Sequence, residues 1–203
     1  MTSVTGLYAI TDDRREGPTV LGRRVAAALD GGARAIQYRD KSDDAERRRA
    51  EAGTLAELCR HRGIPFIVND DLELAAALDA GVHIGVDDPS LEEAHRRITG
   101  LVGVSCYADF SRAEAAVAAG ADYVAFGRFF PSSTKPDNPP ADPDLLRRAH
   151  HELAVPAVAI GGITPENGGQ LVEAGAAALA VIHGVFGQTD ITAAARRYTD
   201  LFQ

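Results

Sequence analysis

Short apolar runs alternate with longer amphipathic stretches along almost the whole chain. The runs occupy 6–11, 34–38, 65–68, 82–86, 101–105, 123–126, 157–160 and 178–182, which makes eight. They are nearly continuous in apolar character rather than strictly alternating with polar residues. That pattern is expected of parallel strands covered on both faces.

The stretches between them carry a helical period. Leu21, Val25 and Leu29 mark one face of a helix over 21–29 that Gly31-Gly32 ends, and 91–98 forms another, stopped by Gly100. Ser111 is placed to cap 112–119, with Glu114 completing a capping box and Gly120 ending the helix. A last helix is expected over 191–202. A weak echo recurs at 31–33, 80–82, 119–122 and 174–176, where a glycine closes a helix directly before a strand. Repeated strand–helix units imply an α/β fold. Eight near-equal units favour a (β/α)8 TIM barrel over an open doubly wound sheet, since no Gly-x-Gly-x-x-Gly follows the first strand.

Composition narrows the function classes. The 203 residues are 45% hydrophobic and contain no Pro/Ser-rich linker, so one catalytic domain over 1–203 is the simplest organisation. A net charge of −8 argues against nucleic acid as a partner and requires any anion site to concentrate cations locally. Cys59 and Cys106 make neither a disulfide framework nor a metal spacing. No run approaches a membrane span and no secretory leader pattern opens the chain, so no membrane partner and a cytoplasmic location are expected. Homo-oligomerisation is compatible with all of this.

In such barrels the chemistry lies at the carboxyl ends of the strands. After the second strand, alternation puts Gln37, Arg39 and Lys41 on one side and Tyr38 and Asp40 on the other. Two cations and an amide would suit a phosphate; pairing of the cations with Asp40, Asp43 or Asp44 is the structural alternative. Asn69-Asp70 follows the third strand and Asp87-Asp88 the fourth. Carboxylates on neighbouring strands suit Mg²⁺ with substrate phosphate, while capping of the next helices would equally occupy Asp70, Asp71 or Asp88. Ser105 ends the fifth strand without an Asp–His pair to activate it, so it reads as a hydrogen-bond donor. The irregular stretch 127–140 has the composition of a lid that carries Ser132, Thr134 and Lys135 to a phosphate, and equally that of a flexible Pro-rich loop without function. Gly161-Gly162 lets backbone approach a ligand, ahead of a helix with Thr164 as cap, Pro165 at its first position and Asn167 at its third. Ile182-His183-Gly184 closes the last strand, and His183 is either a ligand contact or a loop residue without function. His83 lies inside the fourth strand and reads as a core residue, or as one that supports site residues from behind, rather than a metal ligand.

Together these segments resemble the thiamine-phosphate synthase family. The resemblance rests on 7–12 (Leu-Tyr-Ala-Ile-Thr-Asp), Gln37-Tyr38-Arg39-Asp40-Lys41, Asn69-Asp70, 82–85 (Val-His-Ile-Gly) with Asp88, 103–105 (Gly-Val-Ser), 130–136 (Phe-Pro-Ser-Ser-Thr-Lys-Pro) and 159–167 (Ala-Ile-Gly-Gly-Ile-Thr-Pro-Glu-Asn). It implies a transferase that joins a hydroxymethylpyrimidine diphosphate to a thiazole phosphate and releases pyrophosphate. By that likeness Gln37 would bond the aminopyrimidine. Arg39, Lys41, Asn69 and Lys135 would hold the diphosphate, and Asp70 and Asp88 would hold Mg²⁺. Ser132, Thr134, Gly162, Ile182 and His183 would hold the thiazole phosphate, with Ser105 beside the reacting groups. Three departures from the family pattern stand out. The family's Gln is missing at or next to Val86, and Ser132 replaces a usual Thr. The interval from Asn69 to Asp88 is one residue short, which makes Asp87 the alternative ligand. A thiazole tautomerase of the same family is the nearest rival, and the absence of a histidine beside Ser105 in the chain argues against it. A non-catalytic barrel binding thiamin intermediates would not need the carboxylates, and a sugar-phosphate barrel would leave the Ser-Ser-Thr-Lys loop unused.

Overall fold

A computed structural model describes residues 3–86, 88–131 and 140–203. Eight parallel strands close into a barrel in chain order: β1 (Gly6–Ile10), β2 (Ala35–Tyr38), β3 (Phe66–Asn69), β4 (Gly81–Ile84), β5 (Val102–Tyr107), β6 (Tyr123–Gly127), β7 (Ala157–Ile160) and β8 (Ala178–Val181). The ring is sealed by pairing of Gly6 through Ala9 with Ala178 through Val181. All eight expected runs are strands, with boundary differences of one or two residues. One register shift, between Ser105 and Tyr107 on β5, turns the end of that strand against β6.

Helices α1 (Pro18–Asp30), α2 (Ala45–Arg62), α3 (Leu72–Ala77), α4 (Leu91–Arg97), α5 (Phe110–Ala118), α6 (Asp144–Glu152) and α7 (Pro165–Glu173) follow the first seven strands. A four-residue turn α8 (His183–Phe186) and helix α9 (Ile191–Thr199) follow β8, with a 3₁₀ turn over Asp200–Phe202. The helix expected over 191–202 is thus α-helical to Thr199 and tightens to 3₁₀ over its last three residues. The cap of α5 is also corrected. Asp109, not Ser111, accepts from Arg112 N at 3.1 Å, and Phe110 becomes the first helical residue, buried and stacked on Phe126. Burying Phe110 pulls the helix start forward, which removes the Ser111–Glu114 capping box.

Alternation across the strands sorts the core into two shells. Leu7, Ile36, Val68, Val82, Val104 and Phe126 face the helices. Tyr8, Ile10, Ala35, Ile67, Tyr123 and Val158 fill the interior of the barrel. The large ring of Tyr123 fits because β5 offers Gly103 opposite it: a Cβ there would lie 1.9 Å from Tyr123 Cζ.

On β2 the outward residues are clamped. Tyr38 OH donates to Glu51 Oε2 at 2.8 Å, and Arg47 reaches Asp40 at 2.7 Å and Glu51 at 3.3 Å. Glu51 is 1% exposed, so Arg47 supplies the charge that makes its burial tolerable. Burial and the adjacent Glu51 hold the Tyr38 phenol above its usual range, and it remains a donor. With Tyr38 and Asp40 fixed outward, Gln37 and Arg39 are aimed at the barrel mouth.

Two stability outcomes follow from these contacts. Arg47→Ala should cost about 3 kcal/mol in denaturant unfolding by stranding Glu51, and Arg47→Met combined with Glu51→Leu should recover much of it; equal losses would show that the ion pair is not what matters. Gly103→Ala should cost about 3 kcal/mol by overpacking against Tyr123, and a loss below about 0.5 kcal/mol, the range of surface changes, would refute the close contact.

Candidate active site

A cavity of about 390 Å³ opens at the carboxyl ends of the strands. Its lining includes seven of the expected site residues: Gln37, Arg39, Asn69, Ser105, Gly162, Ile182 and His183. Tyr8, His83, Tyr107 and Arg128 also line it. Lys41, Asp70 and Asp88 gather beside it. Ser132, Thr134, Lys135 and the alternative ligand Asp87 lie outside the described residues.

The charged side is built by β2, β3 and β4. Arg39 N donates to Thr11 Oγ1 at 2.9 Å, which ties β2 to the end of β1. Its guanidinium pairs with exposed Asp13 at 2.8 Å, and Lys41 Nζ lies 3.7 Å from Asp70 Oδ2. Both cations therefore have acidic neighbours, but not the loop acids Asp43 and Asp44 weighed from the sequence. A diphosphate would compete with an exposed partner for Arg39, which is a small obstacle.

Capping does not consume the two candidate metal carboxylates. Asp71 caps α3 by accepting from Leu74 N at 2.9 Å, and Ser90 caps α4 by accepting from Glu93 N at 3.2 Å. Asp70 is left at the rim with φ 63°, a left-handed backbone that Asp tolerates better than most residues. Asp88 Oδ2 accepts from Gly85 N, which folds its carboxyl back toward β4. Burial raises the pKa of Asp70 to about 6, helped by the hydrogen bond and charge of Asp88 and opposed by Lys41. Two carboxylates brought together with too little positive charge are a donor set that fits a hard divalent cation. Among the described residues no cluster of three or more His, Cys, Asp or Glu forms a complete protein cage. Mg²⁺ does not need one, because it takes one or two carboxylates plus phosphate oxygens and water.

The opposite wall is backbone. Gly161 and Gly162 have φ 101° and 65°, and a Cβ on Gly162 would lie 2.4 Å from Pro131 O. Only glycine fits there, and the exposed peptide edge faces the cavity beside Ile182 and His183. Asn167 Oδ1 accepts from Thr164 N at 2.8 Å and Asn167 Nδ2 donates to Gly162 O at 3.1 Å, so the start of α7 holds the turn. Thr164, Pro165 and Asn167 occupy the expected positions at the head of that helix.

The floor was not anticipated. Ser105 Oγ lies 2.8 Å from His83 Nε2, although no histidine adjoins Ser105 in the chain. His83 Nδ1 lies 3.0 Å from Tyr123 OH, and Tyr123 OH 2.9 Å from Tyr8 OH. Gln37 Nε2 donates to Tyr8 OH at 2.7 Å. Pairing of β4 with β5 brings His83 across to Ser105, and His83 belongs to the 82–85 segment on which the synthase resemblance rests. Arg112 Nε donates to Ser105 O at 2.8 Å and its Nη2 to Gly85 O at 3.3 Å, which fixes both strand ends. The signal for Tyr8, His83 and Tyr123 is their inward phase within the strands, one residue below the end of β4 for His83, two below the end of β1 for Tyr8 and four below the end of β6 for Tyr123.

Comparison with known proteins agrees with this geometry. The family model described as thiamine monophosphate synthase matches residues 7–185. The thiamine-phosphate synthase of Nitrosococcus oceani is 53% identical over 205 residues, covering 99% of this chain and 94% of the relative. That of Thiobacillus denitrificans is 51% identical over 201 residues, covering 97% and 94%. The solved thiamine phosphate pyrophosphorylase from Pyrococcus furiosus superposes with a TM-score of 0.88 at 32% identity, covering 99% of this chain and 96% of that one. With a matching model over most of its length and relatives at half identity across nearly all of it, this chain belongs to the thiamine monophosphate synthase family.

Proposed function

We propose that the chain is a single-domain transferase that joins an aminopyrimidine methyl diphosphate to a thiazole phosphate, giving thiamine phosphate and pyrophosphate. The observation that carries this reading is the two-sided cavity. Arg39, with Lys41, Asp70 and Asp88 beside it, lies on one side, and the Gly161-Gly162 backbone lies across from it.

In this reading the bond from the pyrimidine methylene carbon to the diphosphate oxygen breaks first, and its electron pair leaves on the diphosphate. The amino-substituted ring delocalises the positive charge that remains. The thiazole nitrogen then gives its lone pair to form the new C–N bond. No proton is transferred in either step, so the site has no need of a general base. Arg39 presents its guanidinium fork to the diphosphate, and Lys41 and Asn69 add hydrogen bonds. Mg²⁺ held by Asp70 and Asp88 would neutralise the leaving group. Ser132, Thr134 and Lys135 are proposed to bring hydroxyls and a further cation over the phosphates. Gly162 and the backbone at Ile182-His183 receive the thiazole phosphate. The apolar lining from Ile10, Val158 and Ile160 keeps water from the charged methylene.

A tautomerase reading gains nothing from His83 beside Ser105, because His83 lies in the 82–85 segment that carries the synthase resemblance. It leaves Arg39, Lys41, Asp70 and Asp88 without a task. No helix among the described residues is long and apolar enough to cross a membrane. Action on soluble small molecules in the cytoplasm is proposed, on the strength of relatives that bear a biosynthetic enzyme's name over their full length.

Purified protein incubated with both precursors and Mg²⁺ should form thiamine phosphate and pyrophosphate in equal amounts. No product above the enzyme-free control would sink the reading, and rearrangement of a thiazole precursor supplied alone would favour the tautomerase. Asp70→Asn retains the tolerance for a left-handed backbone, so the fold should persist while kcat falls about 100-fold or more, as expected when metal-borne charge stabilisation is lost. Unchanged turnover would remove Asp70 from the metal site.

A further inference from the structure

The hydrogen bonds on the cavity floor join into one line that crosses the barrel, with one side chain from each of five strands. It runs from Gln37 on β2 to Tyr8 on β1, Tyr123 on β6, His83 on β4 and Ser105 on β5. The resemblance read from the sequence gives roles only to its two ends, Gln37 and Ser105.

We propose that this line is a one-way hydrogen-bond relay in which Tyr8, Tyr123 and His83 act as positioning residues, holding Gln37 as an acceptor toward the amino-substituted ring and Ser105 as a donor toward the departing diphosphate. The relay deepens the synthase reading and rests on it for the identity of the two ligands.

Donor counting sets the direction. Gln37 Nε2 can only donate, so the Tyr8 oxygen accepts from it. Tyr8 OH then donates to Tyr123 OH, and Tyr123 OH donates to His83 Nδ1. A neutral imidazole that accepts at Nδ1 carries its hydrogen on Nε2, and that hydrogen goes to Ser105 Oγ. The Ser105 oxygen is occupied as an acceptor, and its own hydrogen is left for the cavity. Both phenols are buried and burial holds them above their usual range, so each keeps its hydrogen and donates it once along the line.

Two other polarities fail. If the direction reversed from Ser105 to Tyr8 with Gln37 unchanged, the Tyr8 oxygen would accept twice and its own hydrogen would have no partner in the line. A buried unpaired donor is costly. If the Gln37 amide were turned over as well, every bond in the line would be satisfied, with the hydrogen on His83 Nδ1. Gln37 would then offer N–H groups to an amine, and Ser105 a lone pair to an anion. Both ends would be wrong for their ligands at once. The proposed polarity makes both right.

Packing holds the relay in register. The His83 ring stacks on Tyr123 with centroids 5.6 Å apart and planes 26° apart. Tyr8 meets Tyr123 edge-on at 6.0 Å. Gly103 leaves the space that the Tyr123 ring fills. Tyr123 is not among the residues lining the cavity, so any effect of removing its hydroxyl must travel through its neighbours.

The test is nitrogen NMR of the whole protein labelled at histidine, with the His83 signal assigned by its loss in His83→Gln. The free wild-type protein should show His83 protonated on Nε2 and bare on Nδ1. In Tyr123→Phe that preference should be lost, and kcat should fall about tenfold, less than for deletion of a direct donor, while KM for the thiazole phosphate stays within about twofold. Tyr8→Phe, which cuts the line one link earlier, should lower kcat similarly and serves if Tyr123→Phe does not fold. A hydrogen on Nδ1 in the wild type would overturn the relay, as would full turnover in both phenylalanine variants. The tautomer is read without substrate, so the two readings fail separately. An Nε2 hydrogen in a protein that makes no thiamine phosphate would sink only the function, and an Nδ1 hydrogen in an active enzyme would sink only the relay.

Discussion

Side chains alternate across a β-strand, and closing eight parallel strands into a ring turns that alternation into a sorting rule. Each residue points either into the barrel or toward the helices, with no third direction available. On β2 and the segment after it, the rule sends Gln37 and Arg39 to the cavity and Tyr38 and Asp40 to the helical side. A slip of one residue would exchange the two sets. It would bury Arg39 among apolar helix contacts and leave Glu51 without the Tyr38 hydroxyl. The clamp of Tyr38, Asp40, Arg47 and Glu51 therefore fixes more than local stability: it fixes which groups face the ligand.

The same geometry resolves the electrostatic difficulty of an acidic chain that handles anions. Net charge is −8, yet Arg39, Lys41 and the Asp70–Asp88 pair converge at one side of a single opening. The carboxylates are a disadvantage for a naked diphosphate and an advantage for one that arrives with a divalent cation. Asp71 and Ser90 take over the capping of α3 and α4, which frees Asp70 and Asp88 for the rim. Across the cavity the Gly161-Gly162 backbone lies beside Arg128 and His183, and it is the surface proposed to receive the single phosphate.

The fold was largely legible because strand boundaries depend on local apolar runs and glycine stops, both written in the chain. The rim residues were legible for a related reason: polar groups directly after an apolar run stand out. What lay deeper within the strands did not. Tyr8, His83 and Tyr123 sit within the strands and pass as core residues until closure shows that they meet one another across the barrel. His83 and Ser105 are 22 residues apart, and only the pairing of β4 with β5 makes them neighbours. The α5 cap was misread because Ser111 and Asp109 offer the same chemistry, and burial of Phe110 decides between them.

The central claim is that the two sides of one cavity receive chemically different phosphates. It is tested most directly by a crystal structure of this chain with Mg²⁺, an unreactive pyrimidine diphosphate analogue and the thiazole phosphate. The account predicts the metal between Asp70 and Asp88, the diphosphate on Arg39 and Lys41, and the single phosphate on the Gly161-Gly162 backbone. A diphosphate seated on the glycine backbone, or a metal bound away from both carboxylates, would contradict it.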